Sequence, residues 1–201
     1  MIEIKGLNKV FRTEEVETTA INNISLQVEK GEFVAIMGPS GCGKSTLLNI
    51  LGMLDSPTSG KYYLDGVEVG HMKESERTET RKGKLGFVFQ SFNLIEEMNV
   101  FENVELPLTY MKIKPSERKR RVEETLKRMS IDHRAGHFPT QLSGGQQQRA
   151  ALARMMAAEP KFLLLDEPFS ALDAYLKEKL MQEMMTYLNQ FKKGVIMVSH
   201  S

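Results

Sequence analysis

A strand-like apolar run, Glu32-Phe-Val-Ala-Ile-Met37, delivers the chain into Gly38-Pro-Ser-Gly-Cys-Gly-Lys-Ser45, and a helix-like run follows from Lys44 through Thr46, Leu47, Leu48, Asn49, Ile50 and Leu51. Few folds accommodate strand, glycine loop and helix in that order. The glycines let the backbone wrap so that several amide N–H groups point at one phosphate, and the helix N-terminus adds partial positive charge. Lys44 is then placed to reach β and γ phosphates, and the Ser45 hydroxyl to ligate magnesium. A plain strand-to-helix turn needs one or two glycines and has no use for Lys-Ser at this offset.

A second glycine pair stands about a hundred residues on. Leu142-Ser-Gly-Gly-Gln146 precedes Gln147-Gln-Arg-Ala-Ala-Leu-Ala-Arg-Met-Met-Ala-Ala158, a strong helix former by composition. Ser143, Gly144 and Gly145 therefore fall at a helix N-terminus, with free amides and the favourable end of a dipole. Taken alone, this is also what an ordinary serine N-cap looks like. The third cluster is Asp166-Glu167, directly after the apolar run Phe162-Leu-Leu-Leu165. A carboxylate at the end of a buried strand suits magnesium in the same site as Ser45, and its neighbour suits a base for an attacking water.

Short strand signals fill residues 1 to about 70: Ile2 and Ile4, then Ile24, Leu26 and Val28 in alternation, and Lys61-Tyr-Tyr-Leu64 before the turn at Asp65-Gly66. Residues from about 91 to 158 read mainly as helix, with Pro115 opening an amphipathic run that places Val122, Leu126 and Met129 on one face. From Lys161 the pattern returns to α/β, with a helix from about Ala174 to Asn189 and a strand over Gly194–Val198. Unbroken apolar runs of this kind suit parallel strands covered on both faces.

At 201 residues the chain can bury one substantial core, and its net charge of +1 supplies no global field to steer it to nucleic acid or membrane. The single cysteine, Cys42, lies in the first glycine loop, which excludes a disulfide framework and fits a reducing compartment. Met1-Ile-Glu-Ile-Lys5 does not open like a signal peptide, and no apolar stretch is long enough to span a bilayer. Work at a membrane would therefore run through a partner.

These motifs, in this order, make the chain resemble an ATP-binding-cassette ATPase, the nucleotide-binding subunit of a membrane transporter. Residues 38–45 match the Walker A loop, Gln90 the glutamine loop, 142–146 the signature motif, 162–167 the Walker B strand with its glutamate, Ser170-Ala-Leu-Asp173 the D-loop, and His200 the switch histidine. The resemblance implies an α/β fold: a P-loop NTPase core with a mainly parallel sheet, an N-terminal antiparallel β subdomain and an inserted α-helical subdomain. It implies one ABC ATPase domain over 1–201, with 1–90 and 159–201 as core and β subdomain and 91–158 as the helical part. It also implies ATP and Mg2+ as ligands. ATP would lie against Phe11, Gly38, Ser40, Gly41, Cys42, Gly43, Lys44, Ser45 and Thr46 of one copy and against Ser143, Gly144, Gly145 and Gln146 of a second, with Asp173 also among the nucleotide-binding residues. Ser45, Gln90 and Asp166 would hold the metal, and Glu167, Gln90 and His200 would serve catalysis. The expected partners are membrane-spanning transporter subunits and a second copy of the chain in a head-to-tail homodimer, with no nucleic acid. The expected place is cytoplasmic, peripheral on the inner face of the membrane.

Residues through about Arg149 are similar to the lipoprotein-releasing and macrolide-exporting group. The later stretch, Phe162–Lys177, is more like ATPases of molybdate-type importers, since Phe169-Ser170-Ala171 stands where the export group usually has threonine-glycine-asparagine. A mosaic or a chimera would account for the switch. Export or lipoprotein release is the first reading and import the second, while a soluble family member acting on DNA or ribosomes is the rival class. Against that rival, the long coiled coil or second cassette of such members is missing, and the basic run Arg118–Arg121 is flanked by Glu117, Glu123 and Glu124, as a solvated helix face would be. Family members normally continue past the switch histidine, whereas this sequence stops at Ser201. The expectation is an apparent C-terminal truncation with ATP binding intact and turnover poor. Phe92, Leu94, Ile95 and Met98, just after Gln90, are the expected contact with the membrane subunit, or else they pack internally.

Overall fold

A computed structural model describes residues 1–169 and 174–199. Asp173 and His200 fall outside the described residues, as does the remainder of the D-loop segment.

Two sheets hold a helix between them. The first is antiparallel, in the order β2-β1-β4-β5, formed by β1 (Ile2–Arg12), β2 (Glu17–Val28), β4 (Ser59–Leu64) and β5 (Val67–Glu68). The second contains β3 (Phe33–Met37), β6 (Leu85–Val88), β7 (Phe162–Asp166) and β8 (Gly194–Ser199), all parallel, in the order β3-β8-β7-β6. Helix α1 (Lys44–Leu51) lies between them and buries Leu47, Leu48, Ile50 and Leu51. One apolar cluster joins Ile2, Ile4 and Leu7 of β1 through α1 to Phe162 and Ile196 of the parallel sheet. That continuity fixes the angle at which the β1–β2 hairpin overhangs the glycine loop.

Strand β7 is buried along its whole length, as its unbroken apolar run requires of a central parallel strand. Its far face packs with Leu152 and Met156 of α5 (Gly144–Ala157) and with partly buried Met181 and Met185 of α6 (Ala174–Phe191). A third cluster ties α3 (Val100–Tyr110), α4 (Pro115–Arg128) and α5 into a helical layer through Val104, Leu108, Val122, Leu126 and Ala153. On α4, Val122 and Leu126 are buried as the amphipathic pattern predicts, and Met129 packs partly buried beside them.

Among the elements that the sequence pattern did not reveal, two stand out. Helix α2 (Glu74–Arg81) buries none of its side chains, so it carries no apolar stripe to detect. Strand β6 has only four residues and closes one edge of the parallel sheet shortly before Gln90.

The segment after Gln90 is fastened from the helical side. Asn103, fully buried on α3, accepts from the Ile95 amide at 2.8 Å and donates to the carbonyls of Ile95, Met98 and Asn99 at 2.9–3.0 Å. Replacing Asn103 with Leu would orphan the Ile95 amide and crowd the site. A loss of about 1–3 kcal/mol in urea unfolding is expected, and a shift within about 0.5 kcal/mol, the range of ordinary surface changes, would contradict this role.

Candidate active site

The glycine loop closes around its own lysine. Lys44, 6% exposed, donates from Nζ to the carbonyls of Gly38 and Pro39 at 2.8 Å each, and its ammonium lies 4.0 Å from Glu167 Oε1. Gly41 and Gly43 take φ of +77° and +93°, a region that L side chains rarely adopt. Gly43 has a second constraint: a Cβ there would sit 2.2 Å from the Ala20 carbonyl oxygen on β2. The loop thus touches the hairpin by a backbone-to-backbone approach that only glycine permits. Cys42, the single cysteine, is exposed, with its sulfur 3.9 Å from Lys44 Nζ.

Across from the loop, β7 delivers Asp166 and Glu167. The Ser45 hydroxyl donates to Asp166 Oδ1 at 3.0 Å. Burial pushes the Asp166 carboxyl above the usual carboxylate range; the Ser45 hydrogen bond opposes that shift, and the charge of Glu167 adds to it. Glu167 is held in a left-handed backbone conformation, φ +44°, with its amide donating to the Val198 carbonyl on β8 at 3.1 Å. Non-glycine residues pay strain for such a conformation, and its usual use is to aim a side chain.

Lys44, Ser45 and Glu167 share one cavity of about 330 Å³, lined also by Thr18, Thr19, Ala20, Ser40, Gly41, Gly43, Thr46 and Gln90, and Asp166 reaches it through Ser45. Phe11 stands near its rim. It pairs with Thr18 across the hairpin and leaves its ring 46% exposed.

The second glycine pair lies elsewhere. Ser143 caps α5, accepting from the Gln146 amide at 3.4 Å while Gln146 Oε1 accepts from the Ser143 amide at 3.0 Å. Ser143 and Gly144 are exposed, and none of residues 143–146 lines the cavity. Further along α5, Gln148 Nε2 donates to the Pro168 carbonyl at 3.0 Å and so ties this helix to the loop after Glu167.

A family model described as ABC transporter matches residues 21–170. The chain belongs to the ABC transporter family. A similar ABC protein is an uncharacterized ABC transporter ATP-binding protein, MJ0796, from Methanocaldococcus jannaschii, 45% identical over 100% of this chain and 87% of that protein. A macrolide export ATP-binding/permease protein, MacB, from Mannheimia succiniciproducens is 43% identical over the whole of this chain, which covers 31% of it. Among solved structures, the dimeric post-hydrolysis state of the MJ0796 cassette bound to ADP and Pi aligns with a TM-score of 0.90 at 43% identity, covering 100% of this chain and 88% of that one. The alignments run through the later stretch that departs from the export pattern.

Two polar residues of this ABC chain escaped the sequence reading. Asn103 is one. Arg154 on α5, 8% exposed, is the other: it donates from its guanidinium to the carbonyls of Phe92 and Asn93 at 2.9 and 2.6 Å, and burial pushes its pKa down. Phe92 and Asn93 both have positive φ, +62° and +46°, so Arg154 clamps a strained turn just beyond Gln90. Phe92 itself is buried among Leu152, Leu163 and Leu165, and Leu94 packs partly buried beside them. Of the four residues expected to face a membrane subunit, these two pack inward. An apolar hollow of about 570 Å³ opens instead beside them, lined by Leu54, Phe87, Phe89, Pro107, Tyr110 and Met111 among others.

Proposed function

We propose that this chain is the ATP-binding and ATP-hydrolysing subunit that powers a membrane ABC transporter, of the export or lipoprotein-release type. The observation that carries it is the convergence of Lys44, Ser45, Gln90 and Glu167 on one cavity, with Asp166 bonded to Ser45 at its wall. The loop amides and Lys44 hold the phosphates of ATP, and Phe11 takes the adenine. Ser45 and Asp166 offer two hard oxygens side by side, and Gln90 lines the same space, a set that suits Mg2+ bound through one carboxylate and substrate phosphates. When bound, Mg2+ neutralises charge on the β and γ oxygens. Glu167 accepts the proton of the water that attacks the γ phosphorus, and Lys44 steadies the charge that builds on the phosphoryl oxygens. Asp173 and His200 complete the site on the same reading.

A second copy supplies the opposite wall. Ser143, Gly144, Gly145 and Gln146 form a helix start that lines no part of their own chain's cavity, and the related cassette forms a dimer with ADP and Pi. Residues 91–158 carry this wall, while 1–90 and 159–201 hold the nucleotide. ATP held by both halves closes the dimer, and loss of the γ phosphate opens it, because the ligand then no longer favours the closed state. The membrane subunit docks at the hollow around Phe89 and Tyr110, keeping the protein peripheral on the cytoplasmic face of the membrane. Each cation of the Arg118–Arg121 run faces a carboxylate: Glu105, Glu123, Glu117 with Glu124, and Glu117 with Glu159 in turn. That pairing supports a solvated helix face rather than a nucleic-acid surface.

Light scattering with phosphate release tests the arrangement. Ser143→Arg, which lies outside the cavity, is expected to leave ATP binding to the single chain unchanged while abolishing ATP-dependent dimer and turnover together. Dimer formation and turnover at parental levels in that variant would sink the shared-pocket reading.

A further inference from the structure

The adenine-side aromatic is not alone. Lys9 lies two residues before Phe11 on β1, so the two side chains share a face of the strand. The Lys9 ammonium donates to Asp55 Oδ1 at 2.8 Å and to the Ser56 carbonyl at 2.7 Å, and its side chain is only 13% exposed. From that anchored position Nζ stands 5.0 Å over the centroid of the Phe11 ring.

We infer that Lys9 is a positioning residue for the nucleobase: a cation fixed behind Phe11 that holds the ring in place and draws electron density from it, so that the free face stacks on a purine. This rests on the assignment of Phe11 to adenine. Without a fixed neighbour, a ring nearly half exposed at the end of a hairpin would sample several rotamers, and each freezing event would be charged against binding. Asp55 and Ser56 hold the ammonium in a defined position, so the cation–π contact orients the ring before ligand arrives. Electron withdrawal on one face also favours an electron-rich heterocycle on the other. The anchor comes from the segment after α1, so the base-side ring is registered against the same helix that starts at the phosphate loop.

The test is calorimetric titration of the protein with ATP and, separately, with inorganic tripolyphosphate, which shares the phosphates but has no base. Lys9→Met is expected to weaken ATP by about three- to tenfold and leave tripolyphosphate unchanged, Lys9→Arg to retain most ATP affinity, and the effect of Lys9→Met to vanish in a Phe11→Leu background. Asp55→Asn, which leaves Lys9 and β1 untouched, is expected to give a smaller loss that also depends on Phe11. A Lys9→Met variant that weakens both ligands alike, or that weakens ATP equally with and without Phe11, would show a merely structural lysine and overturn the inference. If Phe11→Leu weakens ATP but Lys9→Met and Asp55→Asn do not, the inference alone falls. If Phe11→Leu leaves ATP affinity intact, the placement of the base on Phe11 falls and takes the inference with it.

Discussion

Glu167→Gln lowers steady-state phosphate release by about 10²–10⁴-fold, the usual worth of a positioned general base, while ATP still binds and the dimer persists. The expectation comes from the way the side chain is held. Its left-handed backbone and its amide bond to Val198 come from the chain path between β7 and β8, so the amide side chain is placed as the carboxylate was. Lys44 keeps its bonds to Gly38 and Pro39 and loses only a 4.0 Å contact. The phosphate-binding groups are therefore intact while proton acceptance is lost. Because opening requires loss of the γ phosphate, the variant accumulates as an ATP-bound dimer, visible by size-exclusion chromatography in ATP but not in ADP. Turnover close to that of the parent protein would remove Glu167 as the base.

Gly43→Ala is expected to abolish measurable nucleotide binding and to cost about 2–4 kcal/mol of stability. Two penalties add. The residue sits at φ +93°, and the new Cβ would lie 2.2 Å from the Ala20 oxygen, a backbone atom that cannot turn aside. Relief requires the loop or the β1–β2 hairpin to move, and both line the cavity. Gly41→Ala is the control. It has φ +77° but nothing within 4 Å of the added carbon, so it should lose only about 1 kcal/mol and still bind ATP. Thermal melts and fluorescent-nucleotide titration of the pair separate backbone strain from collision. Equal behaviour of the two variants would mean that the contact with Ala20 carries no weight.

The glycine loop, the Asp166-Glu167 pair and the α5 cap were legible because each is built from residues adjacent in sequence. A glycine spacing and a strand ending in carboxylates declare themselves locally. Asn103 and Arg154 did not, since their partners are the carbonyls of Ile95, Met98, Asn99, Phe92 and Asn93, and any backbone offers carbonyls. Helix α2 went unseen because it has no buried face, and β6 because four residues are too few to establish a period. Phe92 was undecided for a related reason. The sequence left it open between a docking surface and internal packing, because the consecutive positive φ values that turn it inward leave no trace in composition.

The clamp beyond Gln90 divides the chain at an unexpected place. Gln90 follows β6 after Phe89 and lines the cavity of the glycine loop, whereas Phe92, Asn93 and Ile95 are bonded to side chains rooted in α3 and α5. The hand-over between the two falls at exposed Ser91. A helical layer that tilts against the parallel sheet carries the anchored carbonyls with it and draws on the glutamine like a short tether. A spectroscopic label at Ser91 would report such a tilt.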